Sequence, residues 1–182
     1  MGMYTGFRFK GIIKKEYRED IKKAINDIKG AWGNCEHEEL KKFDEIDRSF
    51  FIPFGGLCYM PNCWEESESE EATDGFKRYF NETTGLLCFQ CSLKNYESTI
   101  EYFIKNIVPI VCDKLIHCEK LYEEWDVSNL YELKDGTVKQ LDYGIRYRYE
   151  EDWFSYGVTQ SDKKDKNILY KNFDFTKENE YR

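Results

Sequence analysis

Twice along this chain, a run that alternates apolar and polar residues gives way to a run with helical spacing. Residues Tyr4–Ile13 put Phe7, Phe9 and Ile13 on one face and Arg8 and Lys10 on the other. That period of two belongs to a half-buried strand. In Glu16–Trp32 the apolar positions are Tyr17, Ile21, Ala24, Ile25, Ile28 and Trp32, which form one helical stripe. Gly30 and Gly33 suit its C-terminal end, and Glu36–Lys42 can add a short helical turn. The pattern returns at Gly85–Leu93, where Leu87, Phe89, Cys91 and Leu93 share one face and Leu86, Cys88, Gln90 and Ser92 the other. Ser98-x-x-Glu101 then reads as a capping box. Ile100, Phe103, Ile104, Ile107, Val108, Val111, Cys112 and Leu115 continue at helical spacing. Pro109 lies inside that pattern. It lacks a backbone donor and meets the carbonyl of Lys105, so a kink is expected there.

Further strands are expected at Arg48–Tyr59, where Pro53 and Gly55-Gly56 suggest an edge or a bend, and at His117–Trp125, Leu130–Leu133 and Val138–Tyr149. Asp135-Gly136 marks a tight hairpin between the last two. Phe76–Phe80 reads as a short helix or an irregular packing segment. The element order is β-α-β twice, with extra strands after it. Such a chain is expected to be α+β: an antiparallel sheet with two main helices on one face, in a ferredoxin-like β-α-β-β-α-β core. The predicted division is one domain over residues 1–158, with an insertion at 61–75, and a polar and aromatic tail over 159–182. The tail carries Ile168, Leu169, Tyr170, Phe173 and Phe175, so it can pack on its own body or on a partner.

With the second half read, a resemblance emerges. Leu86–Leu93, the Asn95–Ile116 helix, Tyr122-Glu123-Glu124-Trp125 and the Lys134-Asp135-Gly136 hairpin resemble the small YubB-type ferredoxin-like proteins of plasmids, phages and bacterial genomes. The likeness covers about Gly85–Tyr149. It implies a fold and a mobile-element setting, and it supplies no catalytic residues.

The chain has 182 residues and a net charge of −8, with 41% hydrophobic and 17% aromatic residues. This composition excludes wholesale disorder. The charge is local. In Pro61–Gly75 (PNCWEESESEEATDG) six residues are acidic and none is basic, so the other 167 residues carry only −2. Glu65, Glu66, Glu68, Glu70, Glu71 and Asp74, with Trp64, are the candidate partner-binding residues. They suit a protein partner with a basic surface, against a bland reading as a solvated loop. The stretch lacks the spaced Asp/Asn pattern of an EF-hand. The acidic balance argues against direct nucleic-acid binding and against anionic membranes. No apolar run approaches a membrane span. With no leader pattern and seven Cys that form no disulfide framework, a cytoplasmic location with reduced thiols is expected.

Catalytic parts are sparse. Cys58, Cys63, Cys88 and Cys91 are the thiols that could hold zinc, if any do. Yet residues three apart in a strand face opposite ways, and buried reduced thiols are the default reading. The two histidines are His37, in Cys35-x-His37, and His117, beside Cys118. Glu119, Glu123 and Glu132 could share a strand face. Gly55-Gly56 lacks a phosphate-loop context. Arg146-Tyr147-Arg148-Tyr149 alternates cation and ring, as in a base-stacking strand, without the aromatic signatures of one. The expected function is therefore a non-enzymatic protein-binding module, of the inhibitor or immunity-protein kind, with no cofactor. The alternative is a small enzyme or a metal- or ligand-binding domain using Cys58, Cys88, His117 and Glu123.

Overall fold

The computed structural model describes residues 3–27, 31–61, 64, 76–125 and 127–147, and the backbone of 148–150, 153–156 and 168–169. It is an α+β structure built on a six-stranded sheet. The strands are β1 (Thr5–Ile13), β2 (Tyr79–Phe80), β3 (Leu86–Leu93), β4 (Cys112–Tyr122), β5 (Asn129–Lys134) and β6 (Thr137–Gln140). Their order is β2-β3-β1-β4-β5-β6, and all neighbours run antiparallel. The Asp135-Gly136 turn joins β5 to β6, both residues at positive φ as a two-residue hairpin requires.

Register assigns each face. Phe7 lies between Cys91 and Lys120, and Phe9 between Phe89 and Cys118. This face carries the main core. Helix α1 (Arg18–Asn26), preceded by a 3-10 turn (Lys15–Tyr17), brings Ile21, Ala24 and Ile25 to it. Helix α2 (Glu38–Asp44) adds Leu40 and Phe43. A helical run then adds Ile100, Phe103, Ile104, Ile107, Val108 and Val111. That run is α4 (Thr99–Tyr102), a π-helical turn (Phe103–Ile107) and α5 (Val108–Val111), with α3 a single turn at Phe51–Phe54. The rings interlock: Phe9 stacks on Phe89 at 5.3 Å, and Phe103 meets Phe7 edge-on at 5.7 Å.

Several expectations are corrected. Arg48–Tyr59 is not a strand. It forms turns and α3, with a cis bond at Ile52-Pro53. Proline cannot donate to a ladder, and the neighbouring carbonyls serve other partners: Trp32 Nε1 donates to Ser49 O at 3.3 Å and to Ile52 O at 2.8 Å. The second helix ends at Val111, so Cys112 and Leu115 belong to β4. Lys14 Nζ takes the carbonyls of Pro109 (3.3 Å) and Ile110 (2.6 Å), and β4 pairs along β1 from Cys112 onward. Pro109 is met by the π-turn just before it, which widens the helix where a normal hydrogen bond is missing.

The capping box is also absent. Ser98 sits at φ 56°, and its side chain makes no cap bond. Asn95 Oδ1 instead accepts the Ile100 N–H at 3.0 Å, while Asn95 Nδ2 donates to Glu101 at 2.6 Å. The first helix is shorter than its stripe, and Trp32 packs from a turn after it. Val138–Tyr149 divides into β6, β7 (Gly144–Ile145) and β8 (Tyr147–Glu150). Strand β9 (Trp153–Tyr156) pairs with β8, and β10 (Ile168–Leu169), from the tail, pairs in parallel with β7. Among the described residues no helix is long and apolar enough to cross a membrane.

Candidate functional site: a buried polar row on the second face of the sheet

The second face of the sheet is covered too, and it carries polar groups. In register across β3, β1 and β4 lie three rows: Ser92, Gly6 and Leu121; Gln90, Arg8 and Glu119; Cys88, Lys10 and His117. All are buried or nearly so. A second apolar cluster seals the face from above, with Met60, Trp64, Phe76, Leu130, Ile145 and Tyr147.

The centre is Arg8. Its guanidinium carbon lies 4.2 Å from the Trp64 ring centroid and 4.6 Å from that of Phe76. Such stacking suits a planar, delocalised cation. Arg8 Nε donates to Gln90 Oε1 at 3.0 Å, and Gln90 Nε2 donates to the Trp64 carbonyl. Lys10 Nζ approaches the Phe76 ring at 5.1 Å. Gly6 makes the arrangement possible. A Cβ there would stand 2.1 Å from Met60 Sδ and 2.6 Å from the Trp64 ring, so Trp64 reaches the sheet only because this position has no side chain.

Beside Arg8 runs a proton-bearing chain. Tyr147 Oη donates to Glu119 Oε1 at 2.7 Å, and His117 Nε2 lies 2.9 Å from Glu119 Oε2. Burial lowers the His117 pKa, against the pull of Glu119, and Arg8 and Lys10 lower it further. His117 is thus a neutral donor at pH 7. Burial works to raise the Glu119 pKa. The His117 hydrogen bond, the Arg8 charge and the Tyr147 hydroxyl outweigh it and hold the carboxyl below its usual range. The ionised Glu119 is therefore the counter-charge to the cations of β1. This assembly is closed and hydrogen-bonded, so its chemistry is that of an anchor.

The residues picked out by sequence fall as follows. Trp64 is fully buried on Arg8, which corrects its grouping with surface partner contacts. Glu65, Glu66, Glu68, Glu70, Glu71, Asp74 and Cys63 lie outside the described residues. Cys88 and Cys91 point to opposite faces of β3, one in each cluster. Burial pushes the Cys88 thiol up to about 11 and the Cys35 thiol up to about 12, and it raises Cys91, Cys112 and Cys118 as well. These thiols stay protonated. Cys58 is exposed. Among the described residues no cluster of Cys, His, Asp or Glu could hold a metal ion.

Cys88 and His117 share a row, but Lys10 stands between them. Glu119 is buried and Glu132 exposed, so they do not share a surface. His37 is held by buried Asp20, which accepts the Glu36 and His37 N–H groups at 2.7 and 2.9 Å and contacts His37 Nδ1 at 2.8 Å. Sequence reasoning missed Arg8, Lys10, Gln90 and Tyr147 as site residues. A signal existed: the outer face of β3 holds Leu86, Cys88, Gln90 and Ser92, with no charge, which is unusual for a face open to water. Comparison with known protein families, with curated proteins and with solved structures finds no match.

Proposed function

We propose that the protein binds another protein through the acidic segment 65–75. The observation that carries the reading is the Arg8 guanidinium between Trp64 and Phe76. These two residues bracket the segment in sequence, and both pack on one arginine. Fixing the two flanking residues shortens the span the segment is free to explore and lowers the entropy cost of capturing a partner with it. A dense anionic patch steers basic partners and raises their association rate. The fitting partner is a protein rich in surface Lys and Arg, a class that includes nucleic-acid-binding proteins. Capturing one there is the action of an inhibitor or immunity protein.

The strand order β2-β3-β1-β4, with helical segments between β1 and β2 and between β3 and β4, supports reading the core as ferredoxin-like. The test uses the immobilised protein and a variant with the five Glu changed to Gln and Asp74→Asn. Each is exposed to cell lysate at about 50 mM and at about 500 mM salt, which changes the Debye length severalfold. Basic proteins should be retained by the natural chain at low salt and lost in the variant and at high salt. Equal retention by both proteins would overturn the proposal.

A further inference from the structure

Away from the buried row, the end of the sheet where β1 begins and β3 finishes carries a cavity of about 440 Å³. Its walls are the rings of Tyr4, Phe50 and Phe51, with Leu93 and Gly56. Volume and lining are those of a site for a drug-sized or smaller molecule. Large apolar side chains also gather at this end. Among the described residues, Phe50 is 46% exposed, Tyr59 70%, Tyr96 59% and Trp125 46%. Tyr59 lies 5.5 Å from Tyr4, and the Glu123 N–H donates to the Tyr4 carbonyl at 3.1 Å, which ties the end of β4 to the same place. Exposed rings on this scale at one end mark a surface that something covers.

The charges in the cavity are unequal. Arg48 is committed: its Nε pairs with Asp47 at 3.2 Å, its Nη1 donates to the Lys94 carbonyl at 2.6 Å, and its guanidinium lies 4.9 Å from the Tyr96 ring. Lys94 is not. Its ammonium rests 5.6 Å from the Tyr4 ring centroid, and no ion pair engages it among the described residues. Cys58 adds an exposed thiol at the wall.

We infer that this cavity binds a small planar aromatic molecule bearing one anionic group, the ring between Tyr4 and Phe50 and the anion on Lys94. Flat rings stack on flat rings, and a half-sheltered ammonium with no carboxylate partner favours an anion over water. The shared chemistry covers aryl carboxylates and aryl phosphates, and the probes separate them. This site is independent of the acidic segment and of the partner proposed for it.

The test is calorimetric titration of the full chain with indole-3-acetate and with phenyl phosphate. Neutral tryptophol and phenol, and inorganic phosphate alone, are the comparisons. One or both aromatic anions should bind with a Kd of about 1 mM or tighter, as their size allows. The neutral arenes and bare phosphate should bind about tenfold more weakly, and Lys94→Met should weaken the anion by about tenfold while leaving the neutral ring unchanged. Phe50→Ala, at an exposed position, should weaken both kinds of ring. Bound anion should also slow iodoacetamide alkylation of Cys58, followed on the Cys58 peptide by mass spectrometry. No binding of either anion at millimolar concentration, equal binding of charged and neutral rings, an unchanged affinity in Lys94→Met with its melting temperature intact, or unprotected Cys58 each overturns the inference.

Discussion

Removing Glu119 is the sharpest test of the buried row as an anchor. Glu119→Ala deletes the acceptor for Tyr147 Oη and for His117 Nε2, at 2.7 and 2.9 Å, and takes away the negative charge opposite Arg8. A hydrogen bond to a charged group contributes about 1.5–3 kcal/mol. Two such bonds, with a buried cation left uncompensated, match the range of about 3–5 kcal/mol seen when one member of a buried pair is removed. A loss of about 4 kcal/mol lowers the melting temperature of a chain this size by about 8–16 °C. Glu119→Gln keeps the shape and one acceptor, so about half that loss is expected. Urea unfolding followed by tryptophan fluorescence is the assay, since Trp32 and Trp64 are both buried. A double-mutant cycle with Arg8→Met isolates the cross-strand term, expected at about 1–2 kcal/mol. A cost below about 1 kcal/mol for Glu119→Ala, or strict additivity with Arg8→Met, would refute the row as a coupled unit.

The same row sets a pH dependence. Burial lowers the folded-state pKa of His117, so the unfolded chain binds the extra proton. The His117 contribution to stability is therefore complete above the unfolded value of about 6.5 and is lost as pH falls, by at most about 1.4 kcal/mol per unit. Glu119, also lowered, loses its contribution further down, below about 4.5, as pH falls toward its folded value. His117→Gln should flatten the urea-derived stability profile between pH 7 and 5 without changing the fall below it. Gly6→Ala forces Met60 and Trp64 away from the sheet and should cost about 1–3 kcal/mol, read as a lower melting temperature and a red-shifted tryptophan emission. Asn95→Ala should cost about 0.5–2 kcal/mol, whereas Ser98→Ala should change stability by less than about 0.5 kcal/mol, because Asn95 makes the cap bond. Thermal melts of the two variants decide between the caps.

Where local periodicity suffices, residues and structure agree. The alternation in β1 and β3 predicts which face each side chain takes, down to the split of Cys88 from Cys91. The Asp-Gly hairpin is equally local, because only a left-handed pair turns two strands so tightly. Arg48–Tyr59 misleads because its apolar run is built for a cis-proline corner packed on Trp32, and that contact spans twenty residues. The extension of the second helix to Leu115 misleads because Val111, Cys112 and Leu115 keep helical spacing, while β4 pairs along β1 from Cys112 in a register with shifts that break the period of two. Lys14, ninety-five residues away, takes the carbonyl of Pro109 near the helix end. The acidic segment is legible as a charge pattern, whereas the packing of its two flanking residues, Trp64 and Phe76, on Arg8 is not.

What the chain determined by itself is its alternating strands, its helical stripes and the one dense block of negative charge, all set by spacing within a few residues. Only the tertiary structure decided that Arg8 and Lys10 are buried. In sequence they stand as the polar half of an amphipathic strand, with water as the expected neighbour. Folding makes β1 a central strand, sets Gln90 and Glu119 opposite Arg8, and closes the face with Trp64 and Phe76. The physical reason is that a buried charge is tolerable only where counter-charge, hydrogen bonds and rings converge on it, and here those groups come from residues up to 139 positions apart.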